Sequence, residues 1–281
     1  MSANSQSQTP AIKDWLDNAA RKLNDADIPS ARLDAEIILA NSINHNRTYL
    51  HAHSDEIIIQ NLLIIANNHL NSRIKRIPIA YILGYKEFYG RKFIVNKSTL
   101  IPRPESEDII DLLKEILPII TSRHTKIIDI GTGSGCLGIT VKLELPETDV
   151  TLADISPDAL KTAASNAKNL SADVKIIKSD LLQSYTEKPN IIIANLPYVN
   201  PEWERSPETN FEPSLALFAE DNGMLLIKKL IDQASNLLAL DGYIILESDP
   251  EQHKLIIEYA KKYSYNLIHR VRYITVFKRS A

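Results

Sequence analysis

The sequence predicts an α/β protein: a mostly parallel sheet of seven strands covered by helices, preceded by a small helical bundle and a β-hairpin. Three observations carry that expectation. Apolar residues recur at helical spacing from Ala11 to about Ile77, aromatics gather around two glycines between Pro78 and Pro104, and from Glu105 onward strand and helix patterns alternate. A chain of 281 residues has room for one large α/β domain and a smaller companion.

In chain order, residues 1 to about 10 are polar and expected to fray. Ile12, Trp15, Leu16 and Ala19 repeat at steps of three and four, as do Leu33, Ala35, Ile37, Ile38 and Leu39, and then the apolar run from Ile57 to Ile65. These predict four or five helices over residues 1–79, with Asp27 or Ser30 as a cap beside Pro29. Residues 80–104 hold Tyr81, Phe88, Tyr89, Phe93 and Val95 around Gly84 and Gly90, a hairpin turning at Tyr89-Gly90-Arg91 and expected to bridge the two domains. The larger domain is expected over residues 105–281. Its strands are predicted at Lys126–Asp129, Asp149–Ala153, Val174–Lys178, Asn190–Ala194, Gly242–Glu247, Asn266–Val271 and Tyr273–Lys278. Helices are predicted at Glu105–Ile120, Pro157–Leu170, Asn222–Leu240 and Glu251–Tyr263. The last two strands are joined too tightly for a helical crossover, so one must run against the others.

Composition narrows the function. Net charge is −3, without the cationic excess of a protein held on phosphates, so direct nucleic-acid binding is not expected. A single cysteine, Cys136, forms no internal disulfide and suits a reducing compartment. With no membrane-length apolar stretch and no leader-like start, a cytoplasmic protein is the expectation.

Four of the eight glycines fall in Gly131-Thr-Gly-Ser-Gly-Cys-Leu-Gly138, directly after the apolar strand ending Ile127-Ile-Asp-Ile130. Without a Cβ the backbone can be approached closely by a ligand. Asp154, which is 23 residues beyond Gly131, ends the next strand, where a carboxylate can accept from both hydroxyls of a ribose. A tight turn with Asp154 capping the helix opened by Pro157 is the plainer alternative. Gly133-x-Gly135-x-x-Gly138 also matches the dinucleotide fingerprint, which keeps a nicotinamide enzyme in view.

The fourth strand runs into Asn195-Leu196-Pro197-Tyr198. An amide side chain and the Leu196 carbonyl can together accept both hydrogens of one NH2 group, Pro197 fixes the turn and Tyr198 offers a ring. An amide or aniline-like nitrogen is almost unprotonated but a poor nucleophile, so it needs aim more than it needs a base.

These segments resemble the class I S-adenosylmethionine-dependent methyltransferases, and within them the HemK/PrmC family. Pro78-Ile-Ala-Tyr-Ile-Leu-Gly84, Phe88-Tyr-Gly-Arg-Lys-Phe93, Leu100-Ile-Pro-Arg-Pro-Glu105, Phe211-Glu-Pro213, Ala216-Leu-Phe218 and Gly223 are similar to that family's segments. The resemblance implies a Rossmann-like sheet and methyl transfer from S-adenosylmethionine to the side-chain amide nitrogen, N5, of the glutamine in the Gly-Gly-Gln motif of peptide chain release factors. It implies cofactor contacts from Asp129, from Gly131, Thr132, Gly133, Ser134 and Gly135, from Asp154 and Ile155, from Asp180 and Leu181, and from Asn195. Asn195, Leu196, Pro197 and Tyr198 are implied to hold the substrate amide, with the helical domain gripping the body of the release factor and no metal. Asp180 could equally cap a short helix.

Two departures stand out: Leu196 replaces the family's usual proline, and Glu247 is followed by Ser248-Asp249-Pro250 where Glu-Ile-Gly is common. The Asn-Leu-Pro-Tyr form also resembles rRNA adenine dimethyltransferases. Methylation of a ribosomal-protein glutamine, of adenine N6 in RNA, or partner binding without catalysis are therefore the alternatives. Arg103 and Glu105 read as an ion pair pinning the loop before the large domain, or as a rim of the active site. His51-x-His53 reads as solvated surface, and Cys136 as a packed residue at a helix start.

Overall fold

The computed structural model describes residues 9–119 and 124–280. Most of the polar opening stretch and Ile120, the last residue of the predicted helix Glu105–Ile120, lie outside the described residues. The chain divides into two compact units, Met1–Gly84 with Ser206–Phe211, and Tyr85–Arg205 with Glu212–Ala281.

The first unit contains α1 (Ile12–Asn24), α2 (Ala31–Ser42), α3 (Arg47–Ala52), α4 (Gln60–Ile74) and α5 (Ile79–Leu83). Ile12, Leu16, Ala19 and Leu23 form one stripe of α1, buried in a common core with Ala35, Ile38 and Leu39 of α2 and Ala66 and Leu70 of α4. Trp15 donates its indole N–H to Asn67 Oδ1 at 2.9 Å. Asp34 and Arg73 are both buried and pair at 2.7 Å, and Arg73 also meets Glu208 of the returning segment Ser206–Phe211 at 2.9 Å. Three local expectations change. The stretch before Gln60 is extended, because Ile58 N–H donates to Pro10 O and Ile57 bridges Ala11; Ile57, Ile59, Ile64 and Ile65 are exposed. Ser30 occupies the cap position of α2 but its side chain makes no cap bond, and Asp27 instead turns the chain at φ 54°. Residues 79–83, most of them at the start of the predicted linker, form α5, which ends at Gly84 in the left-handed region.

In the second unit, β1 (Tyr85–Phe88) and β2 (Arg91–Ile94) form the predicted hairpin around Tyr89 and Gly90, both at positive φ as a two-residue primed turn demands. The hairpin packs into this unit rather than standing as a free bridge. Phe88 and Phe93 meet edge to face and are buried with Ile109, Ile110 and Leu113 of α6 (Glu107–Ile116).

Seven further strands make one sheet: β3 (Lys126–Ile130), β4 (Asp149–Asp154), β5 (Lys175–Lys178), β6 (Ile191–Ala194), β7 (Tyr243–Glu247), β8 (Tyr265–Val271) and β9 (Ile274–Arg279). Their order is β5-β4-β3-β6-β7-β9-β8, with β9 antiparallel to both neighbours and every other pairing parallel. The central strands are apolar at nearly every position because both faces are covered. Ile127, Val150, Ile191 and Ile245 share one core with α6, α7 (Cys136–Glu144) and α8 (Pro157–Asn169). Ile128, Ile192, Ile244 and Phe277 share the other with α10 (Leu225–Leu237) and α11 (His253–Lys261); a single helical turn, α9 (Ser214–Leu217), precedes α10. Ile130 stands opposite Ala153 and Ala194, so the turns after β3, β4 and β6 leave the sheet at one level. Strand order reverses there, the place where open α/β sheets hold ligands.

Candidate active site

A cleft of the second unit opens over those strand ends, lined among others by Gly131, Thr132, Gly133, Ser134, Asp154, Ile155, Asp180, Leu181, Asn195, Leu196 and Pro197. Eleven of the residues expected from sequence thus share one wall system, although they come from four separate turns.

The turn after β3 is tied to β4 by the Gly131 and Thr132 N–H groups, which both donate to Ala153 O. Asp154 closes it from the other side: Oδ2 accepts from Gly133 N–H and Oδ1 from Ser156 N–H, each at 2.9 Å. Ser156, not Asp154, caps α8, its hydroxyl accepting from Ala159 N–H. Burial raises the Asp154 carboxyl above its ordinary range, against those backbone hydrogen bonds. At Asp180 no helix follows; residues 181–184 form a turn, so this carboxylate lines the cleft without being a helix cap.

Three expected contacts stand outside the lining. Asp129 shares the strand face of Ile127, away from the cleft mouth, and is fully buried. Its Oδ2 accepts from the Thr132 hydroxyl at 2.6 Å and from Gly138 N–H at 3.0 Å, while Oδ1 has no partner among the described residues. Desolvation lifts its pKa to about 6. Gly135 is the cap of α7 at φ +82°, where a Cβ would come within 2.7 Å of Ile139 Cδ1 and 3.2 Å of Ala163 Cβ; its task is to bring the helix down onto the fold. Tyr198 turns away from the lining. Its hydroxyl lies 3.4 Å from Glu247 Oε1, and its carbonyl accepts from Gln252 Nε2 at 2.9 Å.

At the end of β6, Leu196 is buried, and its carbonyl oxygen accepts no hydrogen bond among the described residues. Asn195 Nδ2 donates to Ser106 Oγ at 3.1 Å, and Ser106 Oγ donates to Glu247 Oε2 at 2.5 Å. Burial pushes Glu247 up to about 7; the Ser106 and Tyr198 hydrogen bonds pull the other way, and the neighbouring Glu105 charge adds to the rise. Neither Ser106 nor Glu247 was among the residues expected at the site. The available signal was a carboxylate ending the otherwise apolar strand Tyr243–Glu247.

The departure at Ser248-Asp249-Pro250 is accommodated by hydrogen bonds: Ser248 N–H reaches Tyr273 O, and Gln252 accepts from Asp249 N–H while its Nε2 holds Tyr198 O and Asn222 O. Arg103 lines the cleft, and its partner is Glu212, not Glu105. Glu212 is buried, accepts from Arg103 Nη2 at 2.5 Å and from Ile101 N–H at 3.0 Å, and so pins the loop before the 3-10 turn Pro104–Ser106. His51 is exposed beside Glu36, and His53 stacks on Tyr49. No cluster of three or more potential metal ligands occurs among the described residues. Burial pushes the Cys136 thiol up to about 12, which keeps it an unreactive thiol. No helix among the described residues is long and apolar enough to cross a membrane.

Known proteins match this architecture piece by piece. Residues 14–84 match the PrmC N-terminal domain, and residues 106–209 the methyltransferase small domain. The bifunctional methyltransferase of Rickettsia bellii is 37% identical over 267 residues, 84% of this chain and 48% of that protein, so the chain spans about half the length of that relative. The release factor glutamine methyltransferase of Koribacter versatilis is 37% identical over 242 residues, 84% of this chain and 85% of that protein. A methyltransferase structure from Pyrococcus furiosus superposes with a TM-score of 0.53 at 16% identity, over 79% of this chain and all of that one, a likeness of fold. With its first part matching the PrmC N-terminal domain and most of its length shared with the Koribacter versatilis enzyme at 37% identity, the chain belongs to the family of release factor glutamine methyltransferases.

Proposed function

We propose that this protein transfers a methyl group from S-adenosylmethionine to N5 of the glutamine in the Gly-Gly-Gln motif of peptide chain release factors. The observation that carries the reading is that Asn195, with its side-chain amide, and Leu196, whose carbonyl is unengaged among the described residues, line one cleft together with the glycine turn. The donor set suits the cofactor. Asp154 keeps lone pairs free for a ribose after accepting two backbone N–H groups, Asp180 can accept from an exocyclic amine, and Ile155, Leu181 and Leu215 give apolar walls for a planar ring. When bound there, S-adenosylmethionine supplies an electrophilic methyl on a sulfonium.

Asn195 Oδ1 and Leu196 O accept the two hydrogens of the glutamine NH2 and so turn its nitrogen lone pair along the cleft. Such orientation contributes ~7–11 kcal/mol in favourable systems, enough to make a sluggish nitrogen react without a strong base. The proton of the methylated amide leaves to water. Leucine at 196 supplies the same carbonyl as the family's usual proline, and its buried side chain against Gly131 replaces the stiffness of the proline ring. Residues 1–79 serve as the grip on the release factor, and the 80–104 stretch joins that grip to the catalytic domain of residues 105–281. The cofactor contacts extend to Asp129 through Thr132 and to Gly135 through its turn. Tyr198 supports the corner from behind. With a net charge of −3, recognition runs through protein rather than RNA, in the cytoplasm where release factors work.

Mass spectrometry of a release factor incubated with enzyme and S-adenosylmethionine tests this. The expected result is a gain of one methylene on the Gly-Gly-Gln peptide, with Asn195→Ala slowing transfer by about 100-fold or more. Full turnover by the variant removes the mechanism, and modification of ribosomal protein or RNA instead removes the substrate.

A further inference from the structure

We infer that Glu247, acting through Ser106, is a positioning residue that sets which end of the Asn195 amide the substrate meets. The inference rests on the acceptor role given to Asn195 above. An asparagine side chain has a donor end and an acceptor end of almost the same shape, and only surrounding hydrogen bonds distinguish them. A glutamine NH2 carries two donors. Asn195 is productive with Oδ1 toward the substrate and opposes it with Nδ2 there.

The corner behind Asn195 resolves that choice. Ser106 has one hydroxyl proton and gives it to Glu247 Oε2 at 2.5 Å, so toward Asn195 it presents lone pairs alone. Nδ2 lies 3.1 Å from that oxygen and also faces the Glu247 carboxylate, while Oδ1 accepts no hydrogen bond among the described residues. The arrangement holds while Glu247 is ionised. Once protonated, Glu247 can donate to Ser106, whose own proton then turns toward Asn195, and the amide gains an equal bond by rotating half a turn. That places Nδ2 against the incoming NH2.

One of the groups around Glu247, Asp129, raised to about 6, also changes charge near the pH at which Glu247 does, and the Glu247→Gln profile separates the two. Glu105 faces it from the 3-10 turn, Tyr198 from the loop after β6, and Cys136 from α7, with Asp129 on the far side of that thiol; Tyr273 and Asp249 stand across Tyr198. Burial keeps the thiol and the phenol neutral through ordinary pH, whereas Glu247, raised to about 7, changes charge there.

Two measurements decide the matter. In steady-state methylation of a release factor, wild-type kcat is expected to rise with pH around a midpoint near 7, set by Glu247. Glu247→Gln is expected to lower kcat about tenfold or more, to flatten that rise and to leave the KM for S-adenosylmethionine within about twofold, while Glu247→Asp retains the rise. Ser106→Ala should lose the rise as well, and the Ser106→Ala, Glu247→Gln double variant should be no slower than the slower single one. The second measurement needs no turnover: the Asn195 side-chain NH2 resonances, assigned by their loss in Asn195→Ala, should titrate with the same midpoint in wild type and stay fixed in Glu247→Gln. An unchanged pH profile in Glu247→Gln, multiplicative losses in the double variant, or resonances that do not titrate would each overturn the positioning role. A titrating NH2 pair in an enzyme that methylates no release factor would instead overturn the substrate assignment and leave the corner's chemistry standing.

Discussion

Asp129, one residue before the end of β3, and Asp154, the last residue of the parallel β4, have surroundings that give them different work. Asp154 points across the turn and holds two backbone N–H groups at the lip of the cleft; Asp129 points beneath the turn and ties it to α7. The proximity of Asp154 to the glycine turn was readable from spacing, because a residue following one strand of a parallel pair must lie beside the turn that follows the other. Which way each side chain points depends on strand parity in the finished sheet. Asp154→Asn leaves one of the two N–H groups facing a donor, a loss of about 1–3 kcal/mol that falls on the cleft itself. Calorimetric titration with S-adenosylhomocysteine should therefore show about tenfold weaker binding or worse. A variant that is less stable but binds normally would mean that Asp154 shapes the loop without touching the ligand.

Among the elements, α7 shows how packing sets the site. A Cβ on Gly138 would stand 2.2 Å from Leu152 Cδ2 and 3.1 Å from Asp129 Cβ, so the helix lies directly against β3 and β4 only because that side chain is missing. Gly138→Ala is expected to lower unfolding free energy by about 1–3 kcal/mol through overpacking, although alanine is the better helix former. Chemical denaturation would check this, and a stability gain would show that the contact relaxes freely. The hairpin was legible from Tyr89-Gly90 and its flanking aromatics. Its burial against α6 was not, since period-two patterning says which residues face inward but not which element receives them. The apolar run Ile57–Ile65 is helical from Gln60 onward as its periodicity predicts, and only its first three residues depart, because pairing with Pro10 and Ala11 holds them extended.

Across the molecule, buried carboxylates make stability depend on pH. Asp129 has a folded pKa of about 6 against 3.8 for the free side chain, so the folded state binds its proton more tightly. The contribution is favourable to folding below about pH 4, is lost as pH rises toward 6, and stays lost above. Asp129→Asn removes that dependence. Its unfolding free energy relative to wild type should rise by roughly 2–3 kcal/mol between about pH 4 and pH 6 and then level off, as denaturation at several pH values would reveal. A pH-independent difference would mean that Asp129 is not desolvated as its burial indicates.

Strand content, the alternation of strand and helix that implies a mostly parallel sheet, the glycine turn and the Asn195 corner were written in local patterns, because each is read from short stretches of chain, whereas the strand order was not. Ser106 and Glu247 lie 141 residues apart and meet through a single hydrogen bond. So do Arg103 and Glu212, 109 residues apart. No spacing rule announces such pairs: a buried polar group takes whichever partner the closed sheet and its loops bring within reach, and only the assembled fold establishes which one that is.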